Sequence, residues 1–134
     1  MNLRKPFVIS LALCLTGGIL PMTASAVDGN WKIGRIYYRM VCTACHKEQA
    51  GGAISPSAYT KAEWSAYIEA DKHAKEKDSL KHYVSTEYRD SIKDSNKAAG
   101  NKKIAAKSAE ELMGDVHAFV LHGAKDSDTP ARCN

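Results

Sequence analysis

Five consecutive residues carry a pattern that neither a core nor a solvated surface requires: Cys42-Thr43-Ala44-Cys45-His46. Two thiols three positions apart can each add to one of the two vinyl groups on a haem edge. The residue after the second thiol then lies under the iron, where an imidazole nitrogen ligates it. The run therefore reads as an attachment site for one haem c, with Cys42 and Cys45 as covalent anchors and His46 as proximal ligand. Two other uses of such a run fit less well. A dithiol redox pair expects a βαβ pattern around the CxxC, and no convincing strand run occurs in the chain. Tetrahedral zinc needs a second ligand pair. The one further cysteine of the processed chain, Cys133, has no CxxC or HxxxH partner.

The elements that must position these residues start after a targeting segment. Arg4 and Lys5 form a positive n-region, an apolar stretch runs from Phe7 to Leu20, and Ala24-Ser25-Ala26 supplies a small-residue cleavage pattern. Residues 1–26 are read as a secretory signal peptide and 27–134 as one mature domain, exported to the periplasm or the cell exterior. A lipoprotein signal at Cys14 would want a residue smaller than Leu13 before it. Gly17, Gly18 and Pro21 interrupt the apolar stretch and no later segment is apolar enough to span a bilayer, so no membrane span is expected. Losing Arg4 and Lys5 lowers the formal charge from +4 to +2. That balance excludes a nucleic-acid-binding reading based on charge.

In the mature chain, Ile33, Ile36, Tyr37, Met40 and Val41 recur at helical spacing from Trp31, predicting an amphipathic helix that delivers Cys42 to the core. Gly51 to Pro56 breaks any helix after His46. Thr60-Lys61-Ala62-Glu63 fits a capping box, opening a second helix that runs to about Lys75 with Trp64, Tyr67 and Ile68 inward. Leu80 through Ala99 reads as a weaker helical stretch containing Tyr83, Val84, Tyr88 and Ile92. Ser108 and Glu111 form a second capping box. The helix after it carries Leu112, Val116, Phe119 and Val120 and ends at Gly123. Residues 71–107 hold interspersed charges, read first as a solvated face and second as a basic rim for an acidic redox partner. The segment from Asp126 onward has no periodicity.

A helix entering CxxCH, a Gly/Pro-rich loop after it and an amphipathic helix at the far end together resemble a class I-type monohaem cytochrome c, over most of residues 30–123. The resemblance implies an all-α fold, a small helical domain wrapped around one covalently bound haem. It implies close crossing of the first and last helices, with Gly34 and Tyr37 or Tyr38 near Phe119. It also agrees with export, since bacteria attach haem covalently outside the cytoplasmic membrane. The chain departs from the family on the distal side: no methionine stands in residues 95–108, where the loop before the last helix supplies the sixth ligand in such proteins.

Met22 leaves with the signal, and Met40 sits on the proximal helix. The candidates for the sixth position are His73, then Met113, then His82, His117 or His122, with an open site as the remaining possibility. His73 leads because it follows Trp64 by nine residues, about two and a half turns on, near the face shared with Tyr67 and Ile68. Two strong axial ligands suit electron transfer, whereas an open position admits small ligands or peroxide. The expected function is an electron carrier working with redox partner proteins, with no catalytic residue assigned. The alternatives are a haem-based small-ligand sensor and a small haem peroxidase. Cys133, left unpaired, is read either as a buried inert thiol or as the bridge of a dimer.

Overall fold

The computed structural model describes residues 28–49, 52–73 and 78–131. The segment read as a signal peptide and Cys133 lie outside the described residues. Among those described, every regular element is helical. None of these helices is long and apolar enough to cross a membrane.

Helix α1, Trp31–Tyr37, begins at Asn30, whose side-chain oxygen accepts from the amides of Lys32 and Ile33 at 3.1 and 3.4 Å. It passes through a π-helical turn, Tyr38–Cys42, into α2, Thr43–Gln49. Where α1 meets the last helix there is no room for side chains. A Cβ on Gly34 would collide with the Asp115 carbonyl oxygen, and one on Gly29 with that of Gly114. This contact centre corrects the sequence reading of the helix's inner stripe. Tyr37 and Val41 are buried, but Ile36, about 200° round the helix from Gly34, is 37% exposed, and Met40 is 50% exposed.

Helix α3, Lys61–Glu69, carries the expected capping box. Glu63 Oε2 accepts from the Thr60 amide at 2.8 Å, and Thr60 Oγ1 accepts from the Glu63 amide at 3.3 Å. The helix stops at Glu69, short of Lys75, because Asp71 turns into the left-handed region at φ 49°. The Asp71 carboxylate holds that turn by accepting from the Lys81 amide at 2.9 Å, ten residues on. The stretch read as one helix over 80–99 is two short ones, α4 (Leu80–Val84) and α5 (Thr86–Ile92), followed by turns. Ser85 divides them: its extended backbone ends α4, while its hydroxyl accepts from the Tyr88 amide at 3.1 Å and caps α5.

Helix α6, Lys102–Ala105, precedes α7, Ala109–His122, which has the second capping box and stops at Gly123 as expected. Its stripe of Leu112, Val116, Phe119 and Val120 is buried throughout. One side packs with Tyr37, Val41, Val84 and Ile104, and the other with Trp64 and Ala124. Tyr38 meets Phe119 with ring centroids 5.4 Å apart, so the close crossing of first and last helices is present. Buried Asp115 fastens it, accepting from the Asn30 amide at 2.7 Å and pairing with Lys107 at 2.8 Å. Arg89, also buried, donates to the carbonyls of Ser85, Ile104 and Lys107 and to the Thr86 hydroxyl. The closing segment is an irregular strap, tied by Lys125 to the Tyr59 carbonyl and by Asp126 to the Lys61 amide.

Candidate cofactor site

Cys42, Cys45 and His46 stand at i, i+3 and i+4 where the π-turn passes into α2, so all three project from one side of one helical segment. That side forms one wall of a cavity with an open mouth. The other walls come from α3 (Trp64, Tyr67, Ile68), from the segment around α4 (His73, Leu80, Tyr83, Val84) and from α7 (Met113, Val116, Val120). No Asp, Glu, Lys or Arg lines it among the described residues. Its polar groups are hydroxyls, thiols and imidazoles.

Hydrogen bonds at the rim fix its shape. Tyr38 donates its hydroxyl to the Ile54 carbonyl at 2.8 Å, and the Trp64 indole donates to the Pro56 carbonyl at 2.7 Å, pinning the Gly/Pro-rich loop against the opening. Tyr37 donates to the Tyr83 carbonyl, tying α4 to the first helix. Burial pushes the Tyr37 and Tyr38 hydroxyls well above the ordinary tyrosine range, so both act as neutral donors. Burial likewise pushes the Cys42 thiol up to about 12. A neutral thiol at physiological pH is the opposite of what the attacking group of a dithiol redox pair needs.

His73 faces His46 across the cavity, with ring centroids 5.6 Å apart, and lies 5.1 Å from the Tyr83 ring. It arrives there by a different route from the one the sequence indicated. It does not continue the α3 stripe from Trp64; it follows the end of the helix, carried round by the turn at Asp71. Its Nδ1 is buried without a hydrogen-bond partner among the described residues. Buried ring nitrogens in that condition are uncommon and call for an occupant.

Met113 lines the same cavity from α7. The other histidines do not line it. His82 lies 3.8 Å from Asp78 and packs on Tyr83 and Tyr88. His117 is within 3.1 Å of the Ser65 hydroxyl, half-buried, and burial lowers its pKa. His122 stacks on Trp31 at 4.1 Å. The sequence reading missed the contribution of the tyrosines, which it took as stripe residues; their hydroxyls hold the loop and α4 in place.

Comparison with protein-family models, with curated proteins and with solved structures gives no match for this chain.

The residues present fit a haem better than a bare metal ion. No three His, Cys, Asp or Glu side chains among the described residues converge to hold a metal directly. Two facing imidazoles supply only two ligands, and a macrocycle would supply the other four. The cavity's apolar and aromatic lining suits the faces of a porphyrin. Both thiols stand on the same wall as His46, on the side an edge attachment requires.

Proposed function

We propose that the chain is a monohaem c-type cytochrome, exported to the periplasm or cell exterior, that carries single electrons between partner proteins. Cys42 and Cys45 anchor the haem, His46 is the proximal ligand and His73 the distal one. In this reading the helical domain of the mature chain, 27–134, wraps the macrocycle. One observation carries the proposal: two thiols and an imidazole project from one helix into an apolar cavity whose far wall presents a second imidazole with an unpartnered buried nitrogen.

When bound, a c-type haem supplies a one-electron ferrous–ferric couple whose potential follows axial ligation and burial. The chain's residues do the rest. His46 and His73 would both hold the iron, which favours a carrier over a gas sensor or a peroxidase, since those need an exchangeable position. Trp64, Tyr67 and Val120 give the cavity an apolar lining. The absence of a carboxylate or cation in the described lining gives no acid–base partner for peroxide chemistry beyond the two axial imidazoles.

Mature protein made in cells equipped for haem attachment should gain the mass of one haem and keep it through denaturing electrophoresis. Its reduced spectrum should not respond to carbon monoxide. Complete loss of haem on acid-acetone extraction would overturn the covalent assignment. A carbon monoxide shift would replace the carrier with a ligand-binding haem protein.

A further inference from the structure

The outer face of the first helical rod bears residues that neither core nor cavity uses. Between that face and the turns ahead of α6 runs a groove lined by Lys32, Arg35, Arg39, Lys47 and Lys97 and, among the described residues, by no carboxylate. All five cations are exposed, and none pairs with a described acidic residue. The positions 32, 35, 36, 39, 40, 43 and 47 follow one face of the helix. Ile36 and Met40, at 37% and 50% exposure, supply the apolar part of the same groove. The second bank is fixed in place: Asn96 Nδ2 donates to the Met40 carbonyl at 2.6 Å, and Asn101 is held as the cap of α6.

We infer that this groove docks an acidic partner protein, which sets carboxylates against the cations and one apolar side chain on Ile36 and Met40. Exposed cations around a small apolar floor divide the work of recognition. The charges steer encounter and set orientation, while the buried anchor supplies short-range affinity. The shape selects the occupant. A lipid surface would engage apolar side chains projecting from a convex helix face, whereas these lie between two banks. Nucleic acid would be drawn by a strongly basic domain, but cations and anions nearly balance over the mature chain. The docking rests on residues outside the cavity and holds whether or not haem is bound. That the partner exchanges electrons rests on the proposed function.

The test is titration of the isotopically labelled mature protein with a synthetic peptide in which a central leucine is flanked by glutamates. Amide shifts should concentrate in residues 32–47 and 96–101, and affinity should fall with added salt. Arg35→Glu combined with Arg39→Glu should weaken binding at least tenfold and Met40→Ser several-fold, with unchanged circular dichroism. Lys61→Glu and Lys125→Glu, outside the groove, should leave it unchanged. Four results would each overturn the inference: no binding, shifts centred elsewhere, equal binding by the peptide lacking leucine, or tighter binding to phosphatidylglycerol vesicles than to the peptide.

Discussion

His73 decides what the far side of the cavity can do. Its ring faces His46 at 5.6 Å, and its buried Nδ1 has no partner among the described residues. Met113 shares the cavity from α7, so the two residues compete for one role. Replacing His73 by Ala should turn the oxidised haem protein from low-spin to high-spin and give its reduced form a carbon monoxide response. Met113→Leu should leave the spectrum unchanged. A low-spin spectrum that survives His73→Ala, with a thioether charge-transfer band in the parent, would assign the position to Met113. At this scale the sequence was informative about residue type and uninformative about route. CxxCH is a local pattern and His73 could be nominated from its spacing after Trp64, yet nothing near it announces that Asp71 turns the chain and that Lys81 holds the turn. Arg89 was equally invisible, since an arginine is normally exposed and its four acceptors come from residues up to 18 positions away.

The helices begin where their caps say they should, because a capping box is written in four adjacent residues. Glu63 and Glu111 each accept from the backbone amide of their own cap residue, Thr60 and Ser108, and those hydrogen bonds hold both carboxyls below the usual range. A carboxyl lowered on folding stabilises above its unfolded pKa, and the contribution is lost as pH falls through the folded value. The starts of α3 and α7 should therefore weaken below about pH 4.5, the ordinary glutamate value. His117 adds an earlier window. Burial lowers its pKa, so the unfolded chain takes up a proton first and stability declines as pH drops below 6.5. Thermal unfolding between pH 7 and 3 should show both limbs. Glu111→Gln should flatten the lower one, His117→Gln the upper, and Ser108→Ala should cost about 1 kcal/mol at neutral pH. Helix ends were harder to read than helix starts. The Ala- and Lys-rich sequence after Glu69 has helical composition, but a hydrogen bond from ten residues away stops it, and Ser85 splits a pattern that looks continuous.

At the scale of the molecule, the buried stripe of α7 follows from periodicity, while the outward placement of Ile36 and Met40 does not. They point out because the closest approach of first and last helices falls on Gly34, a fact about backbone proximity that apolar spacing cannot express. Gly34→Ala should destabilise the fold by about 1–3 kcal/mol through overpacking against Asp115. Gly100→Ala, where a Cβ meets nothing nearer than 3.7 Å, should be neutral or slightly stabilising in the same melting experiment. The π-turn at Tyr38–Cys42 bears on this architecture in a further way. One end of the rod is clocked by the glycine contact with α7, the other by the cavity that His46 must face. A π-turn takes up one residue more than an α-turn, offsetting the two clocks by about 100°. Arg39 and Met40 lie inside it with exposed side chains. In that stretch it is the residue count, rather than the identity of either side chain, that keeps both ends of the rod in phase.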